Sequence, residues 1–134
     1  ALCAELACDR ISEEGLAALK DACGQFEQCV AGRDAQRIAQ ADVALHDIIL
    51  QATRNQRLIQ MVNNLAEQMY RYRFEYIKDS SQHERLVEEH KIIYQSILNK
   101  DKETAAAAAR THIDNQKKAI IRQIRLDRKN GRKL

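Results

Sequence analysis

An all-helical fold is expected, on three observations. The 134 residues hold no proline, no tryptophan and four glycines, too few turn residues for a many-stranded β protein. Apolar residues recur three and four apart between Ser, Asp and Asn residues suited to capping helices. A balance of 45% hydrophobic to 31% charged residues is that of a core-forming domain rather than a disordered chain. No linker or internal repeat divides the chain, so residues 1–134 are expected to form one domain.

Local signals cut this domain into about six helices. Residues 1–9 read as the end of a helix that began upstream. The chain opens Ala1-Leu2-Cys3 already in helical pattern, so it is expected to be a piece of a longer polypeptide. Ser12 can cap the second helix, with Glu13 and Glu14 favourable at the positive end of the helix dipole. Its apolar face runs Leu16, Leu19, Cys23, Phe26, Val30, and Gly32 suits its C-terminal cap. Asp34 can start a third helix to about Thr53, and Asn55 a fourth to about Lys78. Within the fourth, Tyr70 to Tyr76 alternates with period two, a local strand signature. Nothing between Asn55 and Asp79 breaks a helix, and Leu58, Val62, Leu65, Met69, Tyr72 and Tyr76 share one helical face, so helix is expected. Ser81-Gln82-His83-Glu84 fits a capping box opening a fifth helix to about Leu98, with His83 expected at the surface. Asp101 caps the last, alanine-rich from Ala105 to Ala109 and running to about Lys129.

Charge and cysteines exclude several classes. The chain has 22 basic and 19 acidic residues, a net +3. Eight of the basic residues (Lys117, Lys118, Arg122, Arg125, Arg128, Lys129, Arg132, Lys133) fall in 117–134 beside a single acid, Asp127, leaving 14 basic against 18 acidic in residues 1–116. An acidic body with a basic, solvated helix end disfavours a DNA-reading surface on the body. No apolar run reaches the ~18–20 residues of a membrane span, and there is no signal-peptide pattern. Cys3, Cys8, Cys23 and Cys29 form no CxxC and read as reduced core residues of a cytoplasmic protein.

The four histidines are placed informatively. Asp42 and His46, four apart, share a helical face with Ile38, Leu45 and Ile49. His90 lies mid-stripe among Leu86, Val87, Ile93, Tyr94 and Ile97, and His112 shares its face with Ala105, Ala108, Ala109, Gln116 and Ala119. Each histidine alone reads as an ordinary core or surface residue. Three on separate apolar faces, one with an aspartate a turn away, would be costly to bury unpartnered, and one bound cation would satisfy all four groups.

These residues carry a resemblance. Asp42-x3-His46 followed by Asn55, then Glu89-His90 with Ile93 three residues on, then His112-Ile113, resembles the effector-binding FCD domain of GntR-family bacterial transcription regulators, the FadR C-terminal type. The likeness covers essentially the whole chain. It implies an antiparallel helical bundle around a central divalent metal, held by Asp42, His46, His90 and His112, and a homodimer. It also implies DNA binding through an N-terminal winged helix-turn-helix that this sequence lacks, with the first FCD helix truncated. Fatty acyl-CoA-binding members lack the metal site, so the resemblance implies a small polar effector here.

Three imidazoles and a carboxylate suit Zn, Ni, Mn or Fe(II). A small organic acid could take open positions on such an ion. Arg73 could pair with a distal carboxylate and Gln116, one turn beyond His112, could hydrogen-bond an effector oxygen, though both also read as ordinary helix-edge residues. Asn55 needs no role beyond its N-cap. Two rivals remain: a metal-free helical dimerisation module, and a metal-dependent hydrolase suggested by the dipeptide His46-Asp47. The hydrolase is disfavoured because no histidine precedes His46 to complete an HD site, and no Glu-x-x-His pair exists for a di-iron site.

Overall fold

A computed structural model describes residues 1–131. Among them there are seven α-helices: α1 Leu2–Arg10, α2 Glu13–Gly32, α3 Ala35–Ala52, α4 Gln56–Asn64, α5 Ala66–Ile77, α6 His83–Leu98 and α7 Lys102–Lys129, with a 3-10 turn at Ser80–Gln82. Short connections join successive helices. α2 packs along α3 and α6 along α7, while α1 lies against α3, α6 and α7, and α5 against α3 and α7. The expected all-α bundle is what forms.

The helix boundaries follow local chemistry. Ser12 accepts from the Gly15 N–H, Asp34 from Gln36 and Arg37, Asn55 from Leu58, and Asp101 from Thr104, so four expected caps are in place. The turns before three of them share one grammar. Arg33, Arg54 and Lys100 adopt left-handed backbone (φ 58°, 50° and 54°), each immediately ahead of the capping Asp34, Asn55 or Asp101. Gly32 is therefore the last helical residue of α2 rather than its left-handed cap; Arg33 reverses the chain.

Three expectations need correction. The single helix from Asn55 to Lys78 is two, meeting at Leu65 (φ −101°, ψ 2°). Of the apolar stripe drawn through it only Tyr76 is buried; Leu65 is 51% and Tyr72 58% exposed. Ile59 is buried on α4, and Ile77 beside Tyr76 on α5. The bend gives the two segments different docking faces, and this tertiary packing overrides an uninterrupted helical propensity. Second, Ser81 does not cap α6. Its hydroxyl donates to Asp79 Oδ1 (2.6 Å), which also accepts the Ser81 N–H (3.0 Å) and nucleates the 3-10 turn. Third, His83 is buried, with Nε2 2.7 Å from the Ile77 carbonyl oxygen. That bond ties the start of α6 to the end of α5.

The core is two apolar clusters. One gathers Ala4, Ala7, Cys8, Leu19, Leu45, Ile49, Ile93, Ile97 and Ala105; the other Phe26, Ile38, Ala39, Tyr76, Ile77 and Leu86. All four cysteines are free thiols, of which Cys8 is buried. On α7 the basic residues Lys117, Lys118, Arg122, Arg125, Arg128 and Lys129 are exposed; Arg132 and Lys133 lie outside the described residues.

Candidate metal centre

A buried polar layer separates the two clusters. On α3, Asp42 stands between Ile38 of one cluster and Leu45 of the other; on α6, His90 stands between Leu86 and Ile93 in the same way. His112 projects from α7, seven residues beyond the small Ala105 that lets α7 sit close to the bundle. Asp42, His90 and His112 are essentially inaccessible, at 0%, 1% and 1%.

Asp42, His46, His90 and His112 each offer one ligand atom, and these four atoms lie within 4.8 Å of one another. The Nε2 atoms of His46 and His90 are 3.2 and 3.1 Å from Asp42 Oδ1. His112 Nε2 is 3.3 Å from His46 Nε2. The His90 and His112 ring centroids are 5.1 Å apart. Close as they are, Asp42 and His90 are not satisfied by these neighbours. Both oxygens of Asp42 and both ring nitrogens of His90 are buried without an aligned hydrogen bond. Native interiors seldom leave such atoms unpaired, and a cation at their point of convergence would pair Asp42 and one nitrogen of His90 at once. The donor set fits a divalent transition metal.

Electrostatics prepare the same chemistry. Burial opposes the charge on Asp42, but attraction from His46 and His90 outweighs it and holds the carboxyl well below its usual range. Burial lowers His46 to about 3, helped by the nearby Arg73 and opposed by Asp42. His90 is lowered too, chiefly by burial. An ionised carboxylate facing neutral imidazoles is the protonation state that metal ligands require.

Glu89 supplies support that sequence reasoning did not assign. Its Oε2 is 2.5 Å from His112 Nδ1, and its Oε1 accepts from Asn115 Nδ2 at 2.8 Å. Burial would raise the Glu89 carboxyl, but the bonds from His112 and Asn115 bring it below its usual value. An ionised Glu89 accepts the Nδ1–H, which leaves the Nε2 lone pair of His112 aimed at the cluster. The signal was present in Glu89-His90. Adjacent residues on α6 are about 100° apart, so one can face the ligand set while the other faces α7.

The other expected residues divide. Arg73 reaches the site, its Nε 3.7 Å from Asp42 Oδ2 and its side chain 12% exposed, so it stands at the inner end beside the aspartate rather than at a distal position. Gln116 is buried, its Nε2 3.5 Å from His112 Nε2. Asp47, the second residue of the HD dipeptide, is exposed and outside the cluster. Asn55 caps α4.

A cavity of about 670 Å³ opens onto the cluster through His46 and His112, with Arg73 in its wall. Its walls come from α1, α3, α4, α5, α6 and α7, and the bend at Leu65 brings Val62 and Met69 to the same space. That volume lies within the range of about 300–1,000 Å³ usual for small-molecule sites.

The FCD domain family model matches residues 1–115, a stretch that holds all four clustered ligands and Glu89. A comparison with curated proteins gives no match. With an all-helical bundle and a match over most of its length, the chain belongs to the FCD domain family, the ligand-sensing C-terminal regulatory domain of FadR-type GntR regulators.

Proposed function

We propose that this domain senses a small organic acid through one divalent transition metal held by Asp42, His46, His90 and His112. The observation that carries the reading is the buried convergence of Asp42 and His90, whose polar atoms find no aligned partner within the protein. Zn, Ni, Mn and Fe(II) all suit the donor set. Such an ion, when bound, supplies a Lewis-acidic point at which an acid's oxygens replace water. The chain's own residues do the rest. Glu89 orients His112, Arg73 faces an entering carboxylate from beside Asp42, and Gln116 holds a donor next to His112.

In this reading residues 1–134 are one sensing unit of a cytoplasmic, homodimeric regulator and perform no catalysis. DNA is bound by a separate N-terminal winged helix-turn-helix. The acid changes DNA affinity only so far as it binds two arrangements of the bundle unequally. No helix among the described residues is long and apolar enough to cross a membrane. Elemental analysis of purified protein, paired with melting in the presence and absence of chelator, tests the metal. One ion per chain and a marked fall in Tm on chelation are expected. Metal-free protein indifferent to added Zn or Ni would overturn the reading in favour of a helical module with a merely polar core.

A further inference from the structure

The walls of the cavity bear on which acid it takes. Apart from His46, His112 and Arg73 at its inner end, the space is bounded largely by aliphatic side chains, among them Val43, Leu50, Val62, Met69 and Ile113. Arg73 is the only lysine or arginine in the wall among the described residues, and its guanidinium already faces the Asp42 carboxylate at 3.7 Å. The remaining charged side chains in the wall are Asp47 and Glu67, both exposed and both acidic. A second carboxylate reaching outward would therefore leave water for a largely apolar wall, find no lysine or arginine besides Arg73 among the described residues, and approach two like charges.

Size points the same way. A two- or three-carbon hydroxy acid has about six heavy atoms. At no more than roughly 30 Å³ per displaced water, it would occupy on the order of a quarter of the space. The rest of the apolar wall would stay wet.

We infer that the occupant is a monocarboxylic acid with an extended apolar body, its carboxylate at the inner end by Arg73, His46 and His112 and its body along Val43, Val62, Met69 and Ile113. This rests on the acid-sensing reading above and narrows it. The sequence resemblance implied a small polar effector; the wall instead selects for apolar length.

Matched acids of equal length provide the test. Calorimetric titration of the metal-loaded chain, its metal content verified, would compare butanoate, hexanoate and octanoate with succinate, adipate and suberate. Affinity is expected to rise about two- to fourfold per added methylene along the monoacid series. Hexanoate and octanoate should each bind at least tenfold more tightly than the diacid of the same length. Met69→Trp, which fills the wall without touching the ligand set, should weaken octanoate at least tenfold while leaving metal content unchanged. Diacids that bind as tightly, a flat monoacid series, or octanoate binding unaffected by Met69→Trp would each overturn the inference and leave acid sensing intact. If no acid of either series binds the metal-loaded chain, acid sensing itself falls and the inference with it.

Discussion

Replacing His90 by leucine separates a metal centre from a polar core more cleanly than an alanine scan, because the two readings differ in which condition reveals the change. His90 is 1% exposed, its ring 4.4 Å from that of Phe26, and neither ring nitrogen has an aligned partner. Leucine is of similar bulk and removes both unpaired nitrogens, each costing about 1–3 kcal/mol in a protein interior. Against this, Asp42 Oδ1 loses a nitrogen neighbour at 3.1 Å. The terms oppose, so in chelator the variant is expected within ~1 kcal/mol of the parent. For a chain of 134 residues the unfolding entropy scales to roughly 0.3 kcal/mol/K, so that is a shift of about 3–4 °C either way.

With metal the outcome differs. An ion at a hundred times its Kd, binding only the folded form, adds about 2.7 kcal/mol and should raise the parent's Tm by roughly 10 °C. The variant keeps three of four ligands, and its rise should be a third of that or less. Melting by circular dichroism, in EDTA and in excess Zn or Ni, measures both numbers. A metal-induced rise as large in His90→Leu as in the parent would refute the ligand assignment. A variant more than about 10 °C less stable in EDTA would refute the claim that its nitrogens are unpaired.

Glu89→Gln keeps the shape of the support but weakens acceptance of the His112 Nδ1–H; metal affinity measured by chelator competition should fall about 10- to 100-fold, and an unchanged affinity would remove Glu89 from the site. Burial, with smaller contributions from Asp9 and Asp101, pushes the Cys8 thiol above its usual 9.0. The folded form therefore holds that proton more tightly, so the contribution is complete below pH 9 and is lost as pH rises through the higher folded value. Tm should then fall less steeply above pH 9 in Cys8→Ala than in the parent, and parallel slopes would refute this. Ile59 is the one buried residue of α4, which packs chiefly on α3 and α5. Backbone amides of 56–64 should therefore exchange faster than those of α2 and be slowed when the cavity fills; exchange as slow as in α2 before any acid is added would contradict it.

What was legible in the sequence depended on the range of the cause. Asp34, Asn55 and Asp101 act on backbone two or three residues away, and each caps the helix assigned to it. Periodicity placed Asp42, His46, His90 and His112 on inward faces because a helix repeats regularly, and the family order linked the faces. The break at Leu65 was not legible. No glycine or proline marks it, and it arises where α4 docks on α3 while α5 docks on both α3 and α7. His83 was misassigned for a similar reason. A capping pattern explained its position locally, while its partner, the Ile77 carbonyl, lies at the end of α5 and is brought to it by the turn between α5 and α6. Arg73 was found, but its depth was not, since helical angle gives direction and not distance from the axis of the bundle.

The placement of the polar layer explains how a small ligand could act on the whole domain. If the four ligands stood within one apolar cluster, drawing them together would tighten that cluster alone. They stand instead between two clusters, each ligand helix contributing residues to both or packing against both. A change in their spacing therefore moves α3, α6 and α7 relative to each other. α5 is joined through Arg73 to Asp42, and again through Arg85, which contacts both Tyr76 and Glu89. Close packing resists gradual deformation, so such a layer favours a small number of distinct arrangements. In the proposed reading, an acid's influence would be limited by how differently it bound them. Arg73 is where that difference can arise, because its guanidinium stands between Asp42 and the cavity, and a turn of its fork toward an entering carboxylate would alter its approach to Asp42. α5 carries Arg73 and Met69 together, so one helix would register both the head and the body of the ligand.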